Sequence, residues 1–166
     1  MIAAKTPHGF KFKISGLQKP EKINVENRLK ELYTQTKKQT ISKEELTTQI
    51  QKALLPYGYF KPQILIVLPT PKRPGKINIK PGSRMRISQF NLQISGSGRE
   101  NHEIAFTANN LPINEGAVFN SILYEESKNK LVNAAENQGY LNSTFEQATV
   151  YIDTKSNQAK ILLHFD

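Results

Sequence analysis

The feature that most constrains this chain is that it repeats itself once. Phe12-Lys13-Ile14-Ser15-Gly16 recurs as Leu92-Gln93-Ile94-Ser95-Gly96, and residues 53–60, with Ala53, Gly58 and Tyr59, recur as residues 134–141, with Ala134, Gly139 and Tyr140. The offsets are 80 and 81, so an anchor near the start of each unit and another near its middle keep nearly constant spacing. Chance matches between short strings rarely hold such spacing. Solenoid repeats run at roughly 20 to 50 residues, so a longer period points to whole domains. Each unit must own a core, and a domain of this size buries only about 60% of its unfolded surface. We expect two tandem domains, at residues 9–81 and 83–166.

Within the first unit, Phe10, Phe12 and Ile14 alternate with Lys11 and Lys13, the period-two pattern of a strand with one wet face. Val25, Leu29 and Leu32 then place one apolar stripe on a helix over about residues 21–36. Ser42 and Glu45 form a capping-box pattern before a second helix, whose stripe is Leu46, Ile50, Ala53, Leu54 and Tyr57. Gly58 closes it, since glycine adopts the left-handed conformation at little steric cost. Ile64, Leu65, Ile66, Val67 and Leu68 form an apolar run between Pro62 and Pro69, and residues 76–80 alternate again beyond a turn. The order is β-α-α-β-β.

The second unit repeats it less tidily. Phe90, Leu92 and Ile94 mark a strand, residues 101–109 a weak helix, and residues 121–138 a stronger one carrying Tyr124, Leu131, Ala134 and Ala135. Two strands follow around a turn at residues 153–158, with Ala148, Val150 and Ile152 expected inward on one and Ile161, Leu163 and Phe165 on the other. The fold class is α+β: in each unit a three-stranded mixed sheet packs on two helices.

These residues resemble a known family. The β-α-α-β-β order, the helix-closing Gly58-Tyr59 and Gly139-Tyr140, and the strand-joining Lys80-Pro81-Gly82-Ser83 are similar to POTRA domains, the periplasmic modules of the outer-membrane assembly barrel superfamily. Ala53-Leu54 with Tyr57-Gly58-Tyr59-Phe60-Lys61-Pro62 resembles a first POTRA domain of its translocation-and-assembly branch. Gly116-Ala117-Val118-Phe119 with Tyr124-Glu125, Lys128, Leu131 and Gln138-Gly139-Tyr140 resembles a second. The resemblance implies a docking module rather than an enzyme. Its implied partners are an inner-membrane-anchored periplasmic protein of the TamB type, outer-membrane protein clients and the chain's own membrane barrel. It also leads us to expect a third such domain and the barrel beyond Asp166; Met1-Ile2-Ala3-Ala4 is too short for an export signal, so Met1 is expected to be an expression start on a trimmed segment. A barrel of the general assembly or two-partner-secretion type shares the same signals.

Charge is unevenly divided. Residues 1–82 carry 16 Lys and Arg against 5 acids, a net +11, while residues 83–166 carry 7 against 9, a net −2. A strongly basic half points to solubility or to an anionic partner, whether an acidic protein, lipid headgroups or nucleic acid. Lys72, Arg73 and Lys76 cluster at a hairpin tip, where contact with an anionic surface is the sharper reading and solvated charge the plainer one. Tyr57 and Tyr59 suggest base stacking, but Tyr57 lies on the buried stripe of its helix and Phe60 directly precedes a strand, which favours core packing. A basic nucleic-acid module is thus the alternative of another class, while protein docking is our expectation.

Little chemistry is visible. With no Cys there is neither a disulfide nor a thiolate metal site. His8, His102 and His164 are scattered without metal-ligand spacing. Ser95-Gly96-Ser97-Gly98 lacks the Gly-Lys-Ser/Thr ending of a phosphate loop. Glu44-Glu45 and Glu125-Glu126 are assigned to first turns of helices, where the dipole favours acids. No cofactor, metal or catalytic residue is expected. Function then falls to sheet edges, which offer unpaired backbone groups to an added strand. The candidate edges are Ile64, Leu65, Ile66, Val67 and Leu68 in the first unit and Ala148, Val150 and Ile152 in the second.

Overall fold

The structure is a computed structural model and describes residues 11–36 and 41–166. His8, Phe10 and the expected boundary at residue 9 lie outside the described residues. The chain divides into two compact units between Ser83 and Arg84.

The first unit runs β1 (Phe12–Ser15), α1 (Lys19–Gln35), α2 (Lys43–Leu54), β2 (Gln63–Val67) and β3 (Gly75–Lys80). Strand order is β1-β3-β2. The last strand is central, parallel to β1 and antiparallel to β2. α1 starts two residues earlier than its apolar stripe implies, because Pro20 sits in its first turn, where the missing N–H costs no hydrogen bond. At α2 the Glu45 N–H donates to Ser42 Oγ at 3.1 Å. The Glu45 carboxylate accepts instead from Gln49 Nε2 at 2.9 Å, so only half of the expected box forms. Val25, Leu29, Leu46, Ile50 and Leu54 are fully buried against Ile77 and Ile79 of β3. Tyr57 falls beyond the helix, in a 3-10 turn over Leu55–Tyr57, and packs half-buried at the core margin. Gly16 shows why the repeated motif ends in glycine. Its φ is +93°, and a Cβ there would stand 1.9 Å from the Ile79 carbonyl oxygen, so a side chain is excluded by conformation and by space.

The second unit runs β4 (Arg86–Ile94), α3 (His102–Asn109), α4 (Ser121–Asn137), β5 (Phe145–Asp153) and β6 (Gln158–Phe165), in the order β4-β6-β5 with the same parallel and antiparallel senses. Both helices start on asparagine caps. Asn101 Oδ1 accepts from Glu103 and Ile104, and Asn120 Oδ1 from Ile122 and Leu123. Because Asn120 is the cap, Glu125 and Glu126 fall beyond the first turn, contrary to the dipole reading. Glu125 instead pairs with Lys128 at 2.9 Å, and Lys128 Nζ stands 4.8 Å over the Tyr124 ring. Those three motif residues therefore act as one cluster on α4. Leu131, Ala159, Ile161 and Phe165 anchor the core.

Candidate functional site

Each sheet has a central strand and two edges, and the edges are not equivalent. β1 is only four residues long. The β4 edge is covered at its start: Gly116 N–H donates to the Ile87 carbonyl at 2.8 Å, Ile87 N–H to Ala117 at 2.9 Å, and Phe119 N–H to Met85 at 2.8 Å. Further along, Phe90 N–H donates to Glu115 Oε1 at 3.1 Å. The sequence reading missed this cover because the α3–α4 connection carries no strand pattern. β2 and β5 have their second edges unpaired in the sheet order.

On β2 only Ile66 is buried and Ile64 is half-buried, while Leu65 and Val67 are 68% and 54% exposed. Leu68 lies just beyond the strand at 39% exposure. The five-residue apolar run is thus one-sided: it fills the core from alternate positions and shows aliphatic side chains on the other face. On β5 the pairing sets Ala148, Val150 and Ile152 beside buried Leu163, Ile161 and Ala159, the core-facing side of the sheet. They are nonetheless poorly covered. Ala148 is exposed, Val150 half-buried, and Ile152 is 39% exposed, so the three face inward as the alternation implies without being buried there. A residue on the core side of an edge strand is buried only where the helix layer reaches that far.

Lys72 and Arg73 are exposed at a hairpin tip fixed by reciprocal backbone bonds, Thr70 N–H to Arg73 O at 2.9 Å and Arg73 N–H to Thr70 O at 3.2 Å. Lys76 is exposed on β3. The tyrosine pair forms no stacking platform: Tyr59 is 8% exposed, and Tyr57 sends its hydroxyl to the Pro20 carbonyl at 3.4 Å.

His164 is not an isolated surface residue. Its Nδ1 lies 3.0 Å from Glu146 Oε2 and its Nε2 lies 2.9 Å from Ser95 Oγ. This spacing imitates a nucleophile with its base, but the Ser95 hydroxyl donates its proton to Asp166 Oδ1. With that proton committed to a carboxylate, the geometry suits a strut tying the ends of β4, β5 and β6 together. Among the described residues no group of three His, Asp or Glu could hold a metal, and no helix is long and apolar enough to cross a membrane.

Family models match both units of the chain. The family model described as POTRA domain TamA domain 1 matches residues 11–81, and the POTRA model described as surface antigen variable number repeat matches residues 105–166. No curated protein matches. Among solved structures, the chain is similar to Haemophilus influenzae BamA POTRA3-5, at 15% identity over 100% of this chain and 69% of that one, with a TM-score of 0.47. POTRA1-2 of the periplasmic domain of Omp85 from Anabaena gives 12% identity over 94% and 93%, with a TM-score of 0.42. CdiB from Escherichia coli gives 12% identity over 99% of this chain and 29% of that one, with a TM-score of 0.38. POTRA domains are non-catalytic scaffold modules, and those of outer-membrane barrel proteins are periplasmic. With each unit built in β-α-α-β-β order and matched over most of its length by a POTRA model, the chain belongs to the POTRA domain family.

Proposed function

We propose that this chain is the periplasmic docking region of a TamA-like outer-membrane barrel protein that serves assembly and translocation, including autotransporter biogenesis. Its two domains, at residues 9–81 and 83–166, act without catalysis and bind by strand addition. The partner of the first domain is a TamB-like periplasmic protein anchored in the inner membrane, with unfolded outer-membrane clients as further ligands. The observation that carries this reading is the β2 edge: unpaired in its sheet, one-sided, and bearing exposed Leu65 and Val67. An incoming strand gains main-chain hydrogen bonds from the edge and selectivity from those alternate side chains. The match of the first TamA POTRA model to residues 11–81 supports the choice of family branch. The β5 edge, with Ala148, Val150 and Ile152, offers a second site of the same kind.

The test must spare the core. Ile66 is 6% exposed and pairs with Ile77, so a proline there would report on folding rather than docking. Charged residues on an exposed edge oppose strand addition. Leu65→Lys with Val67→Glu, the glutamate standing in register with Lys76, should therefore reduce co-purification of the partner at least about tenfold while the melting curve does not fall. Capture at the original level by this double variant would rule out the β2 edge.

A further inference from the structure

The charge of the first unit is sorted by layer. All five acids of residues 1–82, Glu21, Glu26, Glu31, Glu44 and Glu45, lie on α1 or α2, where they are nearly matched by Lys19, Lys22, Arg28, Lys30, Lys43 and Lys52. The three strands and their connections carry no acid. They hold Lys11, Lys13, Lys61, Lys72, Arg73, Lys76 and Lys80.

The sheet sets several of these cations together. β1 and β3 alternate between buried residues under the helices and exposed residues on the opposite face. On that exposed face Lys13 stands in register with Lys76, and Lys76 with Val67; one step along, Ser15, Asn78 and Leu65 form the next row, and Lys80 pairs with Gln63. Adjacent strands are about 4.8 Å apart, and like charges directly opposite one another destabilise a sheet. No acid on the strands relieves the Lys13–Lys76 pair. Lys11, Lys72 and Arg73 extend the field around one shallow depression beside the hairpin tip.

We propose that this open face of the first sheet docks on an anionic phospholipid headgroup layer, its lysines lying against the phosphates and Leu65 and Val67 reaching the acyl boundary. Three observations favour lipid over other polyanions. The field is almost all lysine, a point charge that accepts phosphates at any angle, whereas arginine's planar fork suits a partner with fixed register. The uncharged members that stand out are aliphatic and exposed, which a headgroup layer rewards and a phosphate backbone does not. None of the described residues on this face is aromatic, so bases have no stacking surface. A lipid layer also needs no matching register, because its headgroups move laterally beneath each cation. The inference rests on the lysines of the sheet face; it shares Leu65 and Val67 with the strand-addition reading, and the lysine variants tell the two apart.

The test is flotation of the 166-residue chain with vesicles of phosphatidylcholine alone or mixed with phosphatidylglycerol. Binding is expected only to the mixed vesicles, and to fall as salt shortens the range of surface charges. The triple variant Lys13→Gln, Lys76→Gln, Lys80→Gln should lower the partition coefficient about a hundredfold, from roughly 1 kcal/mol per lysine at such a surface. Its melting temperature should hold or rise, because like-charge contacts are removed. Lys19→Gln, Lys43→Gln, Lys52→Gln loses the same charge from the helix layer and should change binding less than about threefold. Leu65→Ser with Val67→Ser should weaken it about tenfold. Equal losses from the two lysine triples, or binding without selectivity for phosphatidylglycerol, would overturn the proposal. So would a chain that ignores vesicles yet binds polyglutamate or a labelled oligonucleotide with the same lysines.

Discussion

The two sheets share strand order and pairing sense but differ on the face turned away from their helices. In the first, that face carries Lys13, Lys76 and Lys80 beside Leu65 and Val67. In the second, the corresponding positions are Gln89, Asn91 and Gln93 on β4, Lys160, Leu162 and His164 on β6, and Gln147, Thr149 and Tyr151 on β5. One face is a cation field with aliphatic edges; the other is mostly neutral and tied at one end by the Glu146–His164–Ser95–Asp166 chain. The helix-covered side must stay apolar for the unit to fold. The outer side is under no such demand, so the differences between the units collect there.

The difference can be tested from its structural base upward. The largest effect is expected at the two equivalent glycines. Gly16→Ala drives a Cβ into the backbone carbonyl of Ile79 at a left-handed position and should destabilise the first unit by at least about 3 kcal/mol in urea unfolding. At Gly96 the nearest obstacle is Asp166 Oδ1 at 2.8 Å, the end of a side chain able to swing away, so Gly96→Ala should cost only about 1–2 kcal/mol. Equal losses would mean that backbone conformation, rather than the close approach to β3, sets the requirement for glycine.

Next in size is the covered edge. Glu115→Ala leaves Phe90 N–H without its carboxylate acceptor, so that amide should exchange with solvent severalfold faster, with a stability loss of about 1 kcal/mol. Amides on the opposite edge, along β5, should be unaffected. The smallest effect concerns alkaline pH. Burial raises the phenols of Tyr33 and Tyr124 above their ordinary value of 10.0; at Tyr124, Lys128 pulls back down and Glu125 pushes further up. The folded state therefore holds these protons more tightly than the unfolded chain. The contribution of these two phenols to stability should be constant below pH 10.0 and decline above it as the unfolded state ionises first. Tyr33→Phe and Tyr124→Phe should each flatten that decline in pH-dependent melts.

Much of this was legible in the residues. Alternation at Lys76 to Lys80 and at Ile161, Leu163 and Phe165 marks half-buried strands, and the equivalent glycines mark where each first strand and second helix must stop. Such signals are local. The α3–α4 cover over β4 is not, since Glu115 and Ala117 meet β4 only once the fold is closed. The Ser95, His164, Glu146 and Asp166 chain draws its members from separate segments, which single-sequence spacing cannot join. The apolar run at β2 reads as a sheet edge, but a run without alternation does not say which of its side chains are covered; the structure buries Ile66 and leaves Leu65 and Val67 open.

In each unit the strand at the centre of the sheet is the last one made, β3 in the first and β6 in the second. Neither flanking strand has its partner in the sheet until that segment arrives, so a polypeptide emerging N-terminus first leaves each sheet open to the end of its unit. The first unit can complete its ladder once Lys80 has emerged, before the helices of the second unit have been made. Order of emergence therefore imposes an order of closure, and each unit stays exposed to chaperones or to misfolding until its own last strand arrives.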